Sequence, residues 1–220
     1  MKKETIINEI LKIFWVFIIG SIAGWIFETI VVILQTGHFE IRQGLIYGPF
    51  IPVYGIGLVM YYSIFKFIKT RDKIKIFLIT LALGGLTEYV CSYLQEIIFG
   101  SISWDYSKLP FNLHGRTSLL HCTYWGIAGL LYISWIEPLL HELENIMQDT
   151  RLKIITILLA IFIIIDVSIS WMAIARQKNR FLGENPRNAI EQFLDTYYPD
   201  DFIDTIFSNK KNKLQVQEET

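Results

Sequence analysis

Leu11-Lys-Ile-Phe-Trp-Val-Phe-Ile-Ile-Gly20-Ser-Ile-Ala-Gly24-Trp-Ile-Phe-Glu28-Thr-Ile-Val-Val-Ile-Leu34 decides how the rest of the chain is read. A helix needs about 20 mostly apolar residues to cross the hydrocarbon core of a bilayer, and this run supplies them with a carboxylate inside. An ionised carboxylate near the bilayer centre costs about 2.5 to 3.5 kcal/mol on insertion scales. Glu28 is therefore expected to face a partner, an aqueous cavity or a proton rather than lipid. Sixty residues on, the pattern returns: Gly84-Gly-Leu-Thr-Glu88 followed by Gln95 matches Gly24-Trp-Ile-Phe-Glu28 followed by Gln35. Glycine four residues before the acid and glutamine seven after it fall on roughly one helical face. Each helix thus presents a small, acidic and amide stripe of the kind that packs against protein.

Working outward, Phe50 to Ile68, Ile74 to Phe99, Thr117 to Leu140 and Ile154 to Ala175 also approach or exceed the spanning length. The reading is an all-α polytopic membrane protein with about five transmembrane helices. The composition agrees: 220 residues, 52% of them hydrophobic, with a mean hydropathy of +0.39. A net charge of -1 and the lack of a basic stripe with interleaved aromatics exclude nucleic acid as a partner. The lipid bilayer is the partner the chain implies first.

Lys2 and Lys3 before an apolar run containing Ser21-Ile-Ala23 resemble a signal peptide, but the run continues unbroken to Leu34, so a retained first helix is expected. Lys66, Lys69, Arg71, Lys73 and Lys75 crowd the connection between the second and third spans. They place that connection and the N-terminus on the cytoplasmic side. Five spans then put the C-terminus outside, which conflicts with Arg176, Lys178 and Arg180 directly behind the fifth. Cys91 and Cys122 lie inside spans without CxxC spacing and read as small buried hydrophobes.

A second echo, Tyr54-Gly-Ile-Gly-Leu58 against Trp125-Gly-Ile-Ala-Gly-Leu130, extends the first. Helix, polar loop and helix, used twice, would make a parallel two-helix repeat about an axis along the membrane normal, against the alternative of chance likeness between apolar helices. Gln43 to Gly57 packs glycines and prolines into the entry of the second helix. Broken backbone at membrane depth is tolerated only where protein buries it or it lines a cavity. The loop from Gly100 to Arg116 mixes Trp104, Asp105, Asn112 and Arg116, and is expected to be re-entrant or interfacial. Residues 1–176 form the membrane domain in this division and 177–220 a polar tail. In the tail Asn185 caps an amphipathic helix carrying Ile190, Phe193, Leu194 and Tyr197, Pro199 stops it, residues 200–207 form a short amphipathic turn, and 208–220 are disordered. That helix reads as a surface element or as a docking site for a partner subunit.

Two readings of Glu28 and Glu88 stay open. Either they are neutralised, by Arg42 and Arg116 or by protonation, and act as interhelical glue, or they line a pathway that binds or relays a cation or proton. Asp166, with Ser170 one turn on, adds a third acid to a shared polar interior. Asp105 and Arg116 are expected to close their loop as a salt bridge, or to hold an anionic group. Tyr47 and Tyr54, from the glycine- and proline-rich entry, complete the candidate pathway set of Glu28, Glu88, Asp166, Arg42, Asp105, Asn112, Arg116, Tyr47 and Tyr54. No metal site is expected, because His121 and Cys122 are adjacent and diverge by about 100 degrees on a helix. Gly20-x3-Gly24 favours close packing, within the chain or in a homo-oligomer. A membrane-embedded enzyme would need a nucleophile with an oriented base, and beyond an imagined grouping of Glu88, His114 and Asp105 none is legible, so no enzyme and no cofactor are expected. No G-x-x-x-x-G-K-[ST] occurs, so ATP energy would have to come from a separate subunit.

At these same residues the chain resembles the bacterial putative ABC-transporter type IV family. The resemblance is carried by Gly24-Trp-Ile-Phe-Glu28, Gly44-Leu-Ile-Tyr-Gly-Pro-Phe-Ile-Pro-Val-Tyr-Gly-Ile-Gly57, Glu88-Tyr89, Trp104-Asp-Tyr-Ser107, Pro110-Phe-Asn112 with Gly115-Arg116, and Asp166. These pieces span about residues 11 to 175. The family places its loop arginine directly before the first glycine, whereas Gln43 here separates Arg42 from Gly44. The resemblance implies a permease-like component of the bacterial cell membrane, translocating a small solute or ion, with an ATPase as a separate subunit. The alternative is a non-transporting scaffold or regulatory subunit whose acids are structural.

Overall fold

The computed structural model describes residues 2–146 and 149–212. Helix α1 (Lys2–Thr36) is followed by α2 (Pro52–Phe67) and α3 (Lys73–Phe99). The short strands β1 (Ser101–Ile102), β2 (Asn112–Leu113) and β3 (Thr117–Ser118) lead into α4 (Leu119–Leu131). After α4 come α5 (Glu137–Ile146), α6 (Thr150–Phe181), α7 (Ala189–Tyr197), α8 (Asp200–Ile206) and β4 (Lys211–Asn212). Asp72, Ser118 and Asn188 cap α3, α4 and α7 by accepting hydrogen bonds from first-turn amides.

Of the five apolar runs, four become helices long and apolar enough to cross a membrane: Ile6–Thr36, Lys73–Phe99, Leu119–Glu142 and Thr150–Phe181. The run from Phe50 to Ile68 does not, because its first two residues belong to the broken entry and Pro52 opens the helix. The resulting α2 has 16 residues, about 24 Å of helix. It returns between the two ends of the bundle, enclosed by α1, α3 and the aromatic side chains of α4. The fourth run bends through a π-helical turn at Tyr132–Ile136. Pro138 explains it: proline has no N–H to give, and its ring would strike the carbonyl one turn back.

The two hairpins α1–α2 and α3–α4 pack in one register. Phe17 lies on Gly55 as Phe77 lies on Gly126, with a Cβ at either glycine only 2.6 Å from the ring. Gly20 meets Leu58 where Thr80 meets Gly129, and Gly24 meets Tyr54 where Gly84 meets Trp125. Every pair keeps the 60-residue offset in the first helix and a 71-residue offset in the second. The counterpart rings Tyr54 and Trp125 then stack on each other, centroids 5.3 Å apart, at the seam between the hairpins. Tyr61 crosses that seam, donating its hydroxyl to the carbonyls of Thr80 and Trp125. Lipid tails are as apolar as leucine, so this close packing and these hydrogen bonds, rather than escape from water, hold the helices together.

Residues 43–51 fold inward. Leu45, Ile46 and Phe50 are buried, and the Ile51 amide bonds the Ser21 carbonyl, about 22 Å by helical rise from the Thr36 end of α1. The Ile46 amide donates to Ser170 Oγ and the Tyr47 amide to Asp166 Oδ1, both on α6. This is irregular backbone at depth, buried in protein and satisfied by side chains, as a membrane interior requires.

The tail departs from expectation in three ways. Helix α6 runs on to Phe181, through the division at 176 and 177. The cap of α7 is Asn188, not Asn185, because Glu191 reaches back to the Arg187 amide and closes the first turn there. Residues 208–212 are structured: Ser208 donates to the Ile41 carbonyl and β4 pairs antiparallel with β1. Residues 213–220, also expected to be disordered, lie outside the described residues. Leu194, Tyr198, Ile203 and Phe207 of the tail pack with Ile46 and Ala173. Arg176 and Arg180 pair with Asp195 and Asp200, so both arginines of the basic cluster behind the last span are matched by acids of their own tail.

Candidate functional site

Both acids sit one turn beyond the glycine that seats the counterpart ring. By helical rise Glu28 is about 12 Å from the Thr36 end of α1 and Glu88 about 16 Å from the Phe99 end of α3. In the first hairpin the ring lying on Gly24 continues to the acid: Tyr54 donates its hydroxyl to Glu28 Oε1 at 2.5 Å. Arg42 stands 4.0 Å from Glu28 and 3.5 Å from Glu40, with its Nε buried and unbonded.

In the second hairpin the ring on Gly84 is Trp125. Glu88 takes its donors from the loop instead: Thr117 Oγ1 at 2.7 Å and the Tyr106 hydroxyl at 3.0 Å. Glu88 is 7% exposed, and among the described residues no basic side chain pairs with it. Tyr106 stacks face to face on His121, centroids 3.7 Å apart, and His121 Nδ1 lies 2.8 Å from Ser118 Oγ. Burial, then the neighbouring Glu88 charge and hydrogen bond, and further off Glu28, hold the Tyr106 phenol well above its ordinary range. Tyr106 thus stays protonated as the donor to Glu88.

The other candidates go elsewhere. Asp166 is 1% exposed; its Oδ1 accepts from Tyr47 and Ser170 while its Oδ2 has no partner. It secures the inward fold of residues 43–51 rather than joining Glu28 and Glu88. Tyr47 turns outward, its hydroxyl 2.8 Å from that of Tyr198. The expected bridge between Asp105 and Arg116 does not form. Asp105 accepts from the Ser107 amide, and Arg116 pairs with Glu96 at 2.6 Å, its guanidinium over Tyr93 and Tyr89. Tyr89, Tyr93 and Glu96 recur at helical spacing on α3, so the cation gains two rings and a carboxylate together. Asn112 ties its own loop through Ser107, Leu109 and Gly115. Cys122 Sγ lies 3.4 Å from Thr117 Oγ1 behind the site. Thr117 and Tyr106 are the site residues that sequence reasoning passed over; Trp125 entered it only as the counterpart of Tyr54.

A bundle of long apolar helices around buried carboxylates is a polytopic α-helical membrane protein. The family model described as putative ABC-transporter type IV matches residues 15–171, both hairpins and most of α6, and the chain belongs to that family. No curated protein and no solved structure matches it significantly. The family makes this a membrane transport-related protein.

Proposed function

We propose that the protein passes a small cation or a proton through its membrane domain, with Glu88 as the group that takes up and releases it. One observation carries the reading: among the described residues, a carboxylate buried among helices accepts only from the neutral hydroxyls of Thr117 and Tyr106. An ionised acid there lacks a counter-charge, which a proton or cation supplies. Glu28, about a quarter exposed and 4.0 Å from Arg42, is the partner acid that already has a cation beside it. Charge on the short connection at residues 66–75 orients that end toward the cytoplasm, so the acids lie nearer the outer face of the cell membrane. An ATP-hydrolysing subunit, if one drives the cycle, is a separate chain.

The satisfied hydrogen bonds of both acids favour a second reading, a scaffold with structural acids. Glu88→Gln separates them, because glutamine keeps an acceptor for Thr117 and removes the charge. In proteoliposomes with an imposed potassium-diffusion potential, wild type is expected to move protons, read by an internal pH dye, or radioactive sodium, above the empty-vesicle rate. E88Q, eluting as a folded species, is expected to lose that flux. Wild-type flux at background, or an E88Q flux equal to wild type, overturns the proposal.

A further inference from the structure

A cleft of about 180 Å³ opens between the end of α3, the last turns of α6 and the strap formed by α8 and residues 207–210. That is room for about six waters. Ser101 lies in its wall, 4% exposed, and its Oγ has no hydrogen-bond partner. Three cations line the same cleft with two acids. Arg180 is spent on Asp195 and Asp200. Lys210 reaches Gln177 and lies 4.0 Å from Asp204, and burial pushes its ammonium below the ordinary lysine range. Lys178 crosses the C-terminus of α3, its Nζ 3.3 Å from where a Gly100 Cβ would sit, and joins no ion pair among the described residues. A buried hydroxyl and two under-matched ammonium groups thus converge on one polar space, larger than a single carboxylate needs.

Its surroundings are interfacial. Phe181 is exposed at the cleft, and the exposed Trp171 packs edge-on against Phe99 of its wall; tryptophan collects at the headgroup level of a bilayer. We propose that this cleft binds a phosphate-type anion, free or as the headgroup of a lipid, with Lys178 and Lys210 as its cations and Ser101 Oγ as a neutral donor. Multiple oxygens on a tetrahedral anion are what several mobile donors at different angles satisfy.

The test uses the full-length protein in neutral detergent, following its thermal unfolding midpoint against inorganic phosphate and, separately, against added phosphatidylglycerol with phosphatidylcholine as the uncharged-surface control. A ligand that binds the folded state raises the midpoint with concentration. A saturable rise with phosphate assigns a free anion, and a rise with phosphatidylglycerol alone assigns a lipid headgroup. In either case Lys178→Gln is expected to weaken the effect about tenfold, the worth of one charge-assisted contact, without moving the ligand-free midpoint. If that variant is itself destabilised, Ser101→Ala takes its place and is expected to weaken binding in the same direction. A midpoint that responds to neither probe, or that responds equally in wild type and in the folded variant, overturns the proposal.

Discussion

The two hairpins use the same helix packing and differ in how they treat their acids and their loops. In α1–α2 the seam ring is a tyrosine that reaches its own acid, an arginine stands beside that acid, and the loop is held from outside by α6 and the tail. In α3–α4 the seam ring is a tryptophan, the acid is buried with no cation paired to it among the described residues, and the loop closes on itself through β2, β3, Asp105 and Asn112. The contrast separates what the repeat needs for packing from what it leaves free for function. Glycine against ring is common to both halves; among the described residues a cation stands beside the acid in one half only. The proposed division of roles, Glu88 as the group that takes up the charge and Glu28 as its neighbour beside Arg42, rests on that contrast.

The largest expected difference between the halves is in flux. Glu88→Gln should remove it, whereas Glu28→Gln should leave a reduced but measurable rate, because Tyr54 still finds an acceptor and Arg42 still pairs with Glu40. Equal loss in both variants would make the acids one unit and end the division of roles. Next in size is packing. Gly24→Ala and Gly84→Ala each drive a methyl within 2.3 Å of a seam ring atom, so each should cost about 3 kcal/mol, the upper end of ordinary overpacking. Denaturation in mild detergent checks this, and a strong effect at one glycine with none at the other would break the repeat.

Much of this was legible in the chain because a bilayer imposes harsh rules on length and polarity. Four of the five expected spans and the glycine-to-acid stripe follow from them, and the matching of Tyr54 with Trp125 follows from the repeat. Partners were harder to read. Asp166 stands out as an acid in a span, but what it serves is a backbone amide 119 residues away, and amides leave no mark in a sequence. Arg116 had two acids within reach in principle, and only the strip of Tyr89, Tyr93 and Glu96 on α3 decides for Glu96. Thr117 and Tyr106 are neutral donors, of which the chain has many, so nothing in their type distinguishes them before the loop is folded over Glu88.

Asp166 offers a sharper probe of how the first half depends on its neighbours. Asp166→Ala leaves the Tyr47 amide without an acceptor at depth and should cost about 2 kcal/mol. Asp166→Asn keeps an acceptor oxygen and should stay within about 1 kcal/mol of wild type with its flux unchanged. Thermal unfolding beside the flux assay reads both. Flux abolished in Asp166→Asn at normal stability would return this acid to the pathway.

The smallest effect concerns the strap that the first half borrows from the tail. Hydrogen bonds from Arg176, then Arg180, hold the Asp195 carboxyl below its ordinary value of 3.8. A depressed carboxyl gives its full stabilisation above that ordinary value and loses it as pH falls through the folded one. Docking of the tail should therefore be flat across neutral pH and weaken only below about pH 4. Asp195 is a quarter exposed, so solvent screening limits the loss to about 1 kcal/mol. Asp195→Asn at neutral pH should reproduce part of that weakening. Amide hydrogen exchange would show it as faster opening of residues 41–47, which touch the tail through Ile41, Gln43 and Tyr47, with residues 105–116 unchanged because that loop supplies its own bonds. Faster exchange in both loops would mean that the second half leans on the tail as well, through the pairing of β1 with β4, and that its self-sufficiency is only local.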